Sequence, residues 1–354
     1  MDENISTYDL ATLYGVISQQ KEHPTFWLGF YNSQINFETA EVVFERINRD
    51  YLRRAPFVAP NIQAAVNRHD GYSIDTVAPA YIKEKDEFDD TLPFLRRPGE
   101  TLITGSMTNE QRRDAWVAEF SAMHKTRITK TWEWLAARAA IDGRVTIEGQ
   151  RYPKSVVDFG RDNSLTLTTD WTAADANALD DLYHMRKTVN GINGVTVRTV
   201  IMGDEALAAF MKLHKDDIKD LMDKNFRGSE TQISRLLDGF EGIEYVGRFQ
   251  GVNGAGQFDL FRYSGVQRNP ETGEEEALLK PGQVFGINPT EFAGVRAFGA
   301  IKDGRAGFKS LDLFPKLWVE NEEPWEELFM TQSAPLMVPG NPNATFLINA
   351  VADA

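Results

Sequence analysis

The sequence predicts an α+β protein, on three observations: one very long helical segment over residues 108–140, a run of short alternating strands behind it, and a mixed order of helices and strands beyond residue 171. A chain of 354 residues, 42% hydrophobic and 25% charged, with seven Trp and 22 Phe, has the apolar material for about two or three packed domains. Such a composition is far from that of a disordered chain.

Residues 8–18 read as a short helix, broken at His23-Pro24. Phe26, Trp27, Leu28, Phe30 and Tyr31 follow in a dense cluster. Two readings of it stay open. It is local core, or Phe26 and Trp27 anchor the segment against a neighbouring subunit, since aromatic residues are enriched at buried interface centres. From residue 51 to 104 the texture changes to strand-like pieces at 57–58 and 72–77, punctuated by Pro56, Pro60, Pro79, Pro93 and Pro98. So long an excursion with little core of its own is expected to lie on a partner.

The helix over 108–140 opens on a capping box, Thr108 with Gln111, and stops at Asp142-Gly143. Trp116, Phe120, Met123 and Trp132 fall along one flank, leaving Glu119, Lys125 and Lys130 for solvent. At about 1.5 Å per residue this is a rod of about 50 Å, a structural strut. Strands at 144–147, 154–159 and 164–169, the first turning at Glu148-Gly149 into Tyr152, suggest an antiparallel sheet beneath it. A second α+β unit follows, with helices over 173–189, 204–213 and 229–237 and strands over 195–202, 245–250, 257–263 and 283–287.

Candidate chemistry is sparse. With no Cys, disulfides, thiolate metal sites and cysteine nucleophiles are excluded. His23, His69, His124, His184 and His214 show no metal-ligand spacing and read as surface or half-buried imidazoles. Residues 251–256 are Gly-rich but fit neither dinucleotide nor phosphate-loop patterns, so they read as a strand-connecting turn. There is no G-x-S-x-G elbow. Adjacent carboxylates at Asp89-Asp90, Asp180-Asp181, 274–276 and Glu322-Glu323 point apart and read as solvated faces. No catalytic, cofactor-binding or metal-binding residue is nominated.

Thirty-eight basic against 52 acidic residues give a formal net charge of −14, a field that repels nucleic acid over most of the surface and argues against sequence-reading DNA recognition. The start, Met1-Asp2-Glu3-Asn4, is acidic and lacks the apolar stretch of a secretory signal, and no apolar run reaches the roughly 18 residues of a membrane span. A cytoplasmic origin and no membrane partner are expected.

Four stretches carry a resemblance. Phe57-Val58-Ala59-Pro60 is followed by Val77-Ala78-Pro79-Ala80-Tyr81-Ile82-Lys83-Glu84-Lys85 and Leu95-Arg96-Arg97-Pro98. The later ones are Val295-Arg296-Ala297-Phe298-Gly299-Ala300-Ile301-Lys302-Asp303, Phe314-Pro315-Lys316-Leu317-Trp318-Val319, and Gln332-Ser333-Ala334-Pro335-Leu336. In order and spacing they resemble the lambda-type capsid proteins, the phage major capsid protein E family, whose members adopt the Hong Kong ninety-seven capsid fold.

The resemblance implies an N-terminal arm at 1–50 and an extended E-loop with its flanks at 51–107. It implies a peripheral domain of 108–170 with 301–343, built on a spine helix at 108–141, and an axial domain of 171–300 with 344–354. It also implies a self-assembling shell subunit, without catalytic activity or cofactor, forming hexamers and pentamers around double-stranded DNA in a virion. A portal, a scaffold with its protease and a decoration protein are the further partners. Lys83, Lys85, Arg96 and Arg97 are then basic points on a loop that lies over a neighbour, and two readings stay open: they meet its carboxylates, or they are solvated surface charges. A covalent Lys–Asn cross-link, which reinforces some shells of this fold, is not expected here. An encapsulin-type compartment of the same fold and an acidic cytoplasmic enzyme are the contrasting readings.

Overall fold

The computed structural model describes residues 10–20, 25–39, 41–47, 72–89, 91–95, 107–149, 152–214, 242–251, 256–323 and 325–351. The expected strand at 57–58, the helix at 229–237 and the Arg96-Arg97 pair lie outside them.

In chain order, helix α1 (Leu10–Gln19) precedes a 3-10 turn at Trp27–Phe30 and strands β1 (Ser33–Asn36), β2 (Val42–Ile47), β3 (Tyr72–Val77) and β4 (Ile82–Asp89). Helix α2 (Asn109–Ile141) follows, then β5 (Arg144–Gly149), β6 (Tyr152–Asp158) and β7 (Thr166–Thr168). Helix α3 (Ala178–Asn193), β8 (Thr199–Met202) and helix α4 (Asp204–Leu213) lead to β9 (Ile243–Gly251), β10 (Gly256–Tyr263), β11 (Val266–Arg268), β12 (Glu275–Ala277) and β13 (Gln283–Ile287). The chain ends through β14 (Val295–Phe298), β15 (Phe314–Glu322), β16 (Trp325–Ser333), β17 (Pro335–Val338) and β18 (Thr345–Asn349).

The 33 residues of α2 start as the sequence predicts: the Gln111 N–H donates to Thr108 Oγ1 at 3.2 Å, and Gln111 Oε1 accepts from the Thr108 N–H at 3.0 Å. At its other end Gly143 takes φ +65°, the left-handed residue a helix stop requires, and the Arg161 guanidinium donates to the free Ile141 carbonyl. Its buried stripe, Val117, Ser121, His124, Ile128, Trp132 and Leu135, advances by three or four residues and marks one face. From Leu135 onward burial is nearly all round, because Ala136, Ala137, Ala139 and Ala140 let other elements approach the axis closely. The strut is thus half surface rod and half core helix. Lys125 is not a solvent residue as the pattern suggests; its Nζ donates to the Gln20 carbonyl at 2.9 Å and holds the end of α1.

Three sheets pack with α2. A six-stranded sheet runs β7-β18-β13-β8-β10-β9, with β7 parallel to β18 and β8 parallel to β10. A three-stranded antiparallel sheet runs β15-β16-β4. Between them β1-β14-β17 ties the N-terminal segment to the last third of the chain, and β2-β3, β5-β6 and β11-β12 stand as hairpin-like pairs. The expected single antiparallel sheet over 144–169 is therefore corrected: β5 and β6 pair only with each other, while β7 extends the C-terminal strand β18. The helix expected at 173–189 begins at Ala178, because Asn177 caps the Asp180 N–H at 3.3 Å, and it runs on to a left-handed Gly194. The strand expected at 195–202 forms only over its second half. Among the described residues no helix is long and apolar enough to cross a membrane.

Candidate assembly site

The four sequence stretches singled out above meet at one polar cluster. The Tyr81 hydroxyl, at the entrance to β4, donates to Gln332 Oε1 at 2.7 Å and accepts the Lys302 N–H at 3.0 Å. Gln332 Nε2 reaches Asp303 Oδ2 at 3.2 Å, and Lys316 Nζ reaches the same oxygen at 2.8 Å. Asp303 Oδ1 accepts the Arg305 N–H at 2.9 Å. Burial pushes the Asp303 carboxyl upward, but the bonds from Lys316, the Arg305 amide and Gln332 outweigh it and hold the group below the ordinary Asp value. Residues more than 200 positions apart in sequence are fixed against each other here.

Among the described residues strand β4 is the edge of its sheet, and it has two chemically different faces. Glu84, Asp86 and Phe88 turn toward α2, where Arg127 Nη1 meets Glu84 at 3.1 Å and His124 Nε2 meets Asp86 at 3.0 Å. His124 is fully buried; its Nδ1 lies 3.1 Å from Thr331 Oγ1 and its ring stacks on Phe329. This corrects the reading of all five His as surface or half-buried groups. The alternate residues Lys83, Lys85 and Glu87 are exposed. Lys83 Nζ sits over the Tyr81 ring, 5.2 Å from its centre. Further along, Arg113 grips the fully buried Glu327 with two bonds, at 3.1 and 2.7 Å.

Beyond β4, the turn at Leu92–Phe94 leaves Phe94 and Leu95 exposed immediately before the Arg96-Arg97 pair. The structure describes Lys83 and Lys85 at the surface, therefore, and does not describe the two arginines they were grouped with.

Phe26 and Trp27 are elsewhere. Trp27 is fully buried among Phe26, Phe30, Tyr263 and Phe285 of its own chain, and Phe26 packs half-buried beside it. Of the two sequence readings, this placement is local core: Trp27 has no free face for a neighbour. The Glu133 carboxylate on α2 accepts the N–H groups of Phe26, Trp27 and Leu28 at 2.7, 2.7 and 2.9 Å. Arg296 of β14 donates to the carbonyls of Tyr31 and Leu28 at 2.8 and 3.1 Å. An anion at the start of the turn and a cation at its end complement the exposed backbone dipoles. Burial, then the nearby Glu133 charge, raises the Tyr31 and Tyr263 hydroxyls well above the ordinary Tyr value.

Sequence reading missed Glu133, Arg296, Asp303 and Gln332 as organising residues. The last three lie inside the singled-out stretches, which was the available signal; Glu133 had none beyond sitting on a helix face with Trp132. Among the described residues no three of His, Asp and Glu gather as a metal site. The carboxylates of Asp86, Glu133, Asp303 and Glu327 are occupied in bonds between elements.

A model of the family described as phage major capsid protein E matches residues 9–349. The chain belongs to the phage major capsid protein E family. The major capsid protein of Enterobacteria phage P21 is 28% identical over 324 residues, covering 89% of this chain and 90% of that one. That of Escherichia phage lambda is 26% identical over 348 residues, covering 96% and 98%. A crystal structure of a prophage capsid protein of Escherichia coli CFT073 superposes with a TM-score of 0.69 at 20% identity, over 97% of this chain and 99% of that one. The mature capsid of bacteriophage PhiM1 gives 0.50 at 11% identity, over 100% and 93%. The fold is the Hong Kong ninety-seven type, and members of the family are structural capsid proteins rather than enzymes. The phage capsid reading is favoured over the encapsulin-type compartment.

Proposed function

We propose that this chain forms the icosahedral head shell of a tailed phage as hexamers and pentamers that enclose double-stranded DNA. The observation that carries this is the match of residues 9–349 to a family of shell proteins. The convergence of the four singled-out stretches on the Asp303 cluster supports it, because a catalytic constellation would line a cavity, whereas these side chains bond to one another and tie four chain segments together.

In this reading α2 with β15 and β16 belongs to the peripheral domain, 108–170 with 301–343, to whose sheet β4 adds a strand from the E-loop flank, and β8, β9, β10, β13 and β18 are the body of the axial domain, 171–300 with 344–354, which β7 joins from the peripheral range. Strand β3, in the E-loop segment at 51–107, pairs with β2 at the end of the arm at 1–50. Lys83 and Lys85 on the outer face of β4, together with Arg96 and Arg97, meet carboxylates of an adjacent subunit. A net charge of −14 suits the inner wall of a DNA container, since few phosphate contacts hold the packaged polymer to it. A scaffold with its protease, a portal and a decoration protein complete the assembly, which takes place in the host cytoplasm.

The test is electron microscopy and light scattering of the purified chain with and without a co-expressed scaffold. Closed shells, or free pentamers and hexamers, are the expected result. A stable monomer or dimer under both conditions overturns the proposal and returns an acidic enzyme to consideration.

A further inference from the structure

The loop between β14 and β15 holds Phe308 in an unusual way. Its backbone is left-handed, at φ +55°, directly after Gly307 at φ +61°, yet Phe308 is no glycine and its side chain is 65% exposed. In that region the Cβ of an L-residue crowds the following carbonyl, so a bulky side chain is disfavoured there and glycine is not. Exposure in water gives the ring no compensating burial within its own chain.

The loop is nevertheless rigidly built. Asp303 accepts the Arg305 N–H on its side chain at 2.9 Å and the Ala306 and Phe308 N–H groups on its carbonyl at 3.1 and 3.4 Å. The Gly307 N–H donates to the Gly304 carbonyl at 3.1 Å, and the Ile301 N–H to the Lys309 carbonyl at 3.1 Å. The Arg305 guanidinium donates to the Leu317 carbonyl at 3.3 Å. Phe308 therefore stands on the Asp303 cluster described above. Lys302, Arg305 and Lys309 beside it are exposed, and Lys302 and Lys309 make no ion pair among the described residues. This is an aromatic knob with a cationic rim, on a chain whose 52 acidic residues exceed its 38 basic ones by 14.

We infer that Phe308 is a subunit-docking knob whose partner is a second copy of this chain, received in an apolar recess bordered by carboxylates. The inference rests on the shell-forming reading and names one of its contacts. Charge complementarity selects the partner: every copy carries the anionic surplus that this cationic rim lacks. A preorganised aromatic loses little freedom on docking, which is the character of a binding hot spot.

The test uses Phe308→Gly, which relieves the backbone and removes the ring. The isolated variant subunit is expected to unfold at the same or a higher temperature than wild type, while the concentration needed for shell formation rises about tenfold or more. Lys302→Glu with Lys309→Glu is expected to shift assembly in the same direction. Because the chain has no Cys, Lys309→Cys supplies a unique thiol, expected to react quickly with a small maleimide in the dispersed subunit and slowly in shells made from this chain alone. Phe308→Gly shells that form at the wild-type concentration overturn the inference, and so does a thiol at 309 equally reactive in both states. In either case the wild-type shells leave the shell-forming reading intact. A wild-type chain that never forms shells overturns both.

Discussion

The Glu133 carboxylate caps the turn that opens at Trp27. One side chain from the last third of the long helix binds three consecutive backbone N–H groups 105 to 107 positions earlier in the chain, and so holds the buried Trp27 and Leu28 against this subunit's own core.

Glu133→Gln preserves shape but replaces one acceptor oxygen by a donor that faces the N–H groups. Hydrogen bonds to a charged acceptor contribute about 1.5–3 kcal/mol each, and an orphaned buried donor costs about 1–3 kcal/mol. A loss of about 2 kcal/mol in unfolding free energy is expected by chemical denaturation. Faster hydrogen exchange should appear at the amides of Phe26, Trp27 and Leu28. Wild-type stability in this variant would mean that packing of Trp27 alone holds the turn.

The Tyr81 hydroxyl both donates and accepts within the Asp303 cluster, so Tyr81→Phe leaves Gln332, only 1% exposed, and the Lys302 N–H each short of one partner. We expect a loss of about 1–3 kcal/mol. A second substitution, Gln332→Leu, should add much less than its own single effect, because residues in one network do not act additively. Independent, additive losses in a double-mutant cycle would show that the cluster is not coupled.

Much of the fold was legible because its signals are local. The capping box at Thr108, the stop at Gly143, and the strands β9, β10 and β13 fall where residue pattern places them, within a residue or two. What escaped is non-local. Nothing near 164–169 says that β7 will run parallel to a strand 181 residues later, and nothing near Glu133 announces the turn it caps. His124 was misjudged for the same reason: a lone imidazole on a helix flank becomes a buried group only when Asp86 and Thr331 arrive from two other elements. The Asp303 cluster was visible as stretches of sequence but not as one place, since its four partners come from four segments.

His124 makes stability pH-dependent with a definite sign. Burial lowers its pKa, and the Asp86 charge opposes this without reversing it. The folded state therefore disfavours the imidazolium, while the unfolded chain takes up a proton near pH 6.5. Stability from this residue is fully present above about pH 6.5 and falls as pH drops toward the lower folded value. Denaturant unfolding at pH 7.5 and 5.5 should show a larger acid loss for wild type than for His124→Gln. Equal losses would place the pH dependence on other groups.

Gly286 lies on β13, between β8 and β18, directly opposite Phe346, whose ring lies over the space a Cβ would fill. Gly286→Ala must displace that ring within the six-stranded sheet, at about 1–3 kcal/mol for overpacking. The pair Gly286→Ala with Phe346→Leu should recover part of the loss, because the smaller side chain leaves room for the methyl. A Gly286→Ala subunit with an unchanged melting temperature would mean that the ring moves aside freely.

Phe94 and Leu95 are 71% and 53% exposed, and Arg96 and Arg97 follow them in sequence, so apolar residues that the subunit's own core does not cover stand next in the chain to two cationic ones. A surface of that kind adds little to the stability of one copy but much to contact with an anionic neighbour. Arg96→Glu with Arg97→Glu should therefore leave the thermal unfolding of the isolated subunit within about 0.5 kcal/mol of wild type. Shell formation should fail, or need a higher subunit concentration, when followed by light scattering at low salt. If the two arginines act through charge, raising the ionic strength should weaken wild-type assembly and narrow the difference, because exposed pairs are screened beyond about 8–10 Å. Normal shells from the double variant at low salt would remove these arginines from the assembly surface and leave Lys83 and Lys85, on the outer face of β4, as the basic groups to be tested in their place.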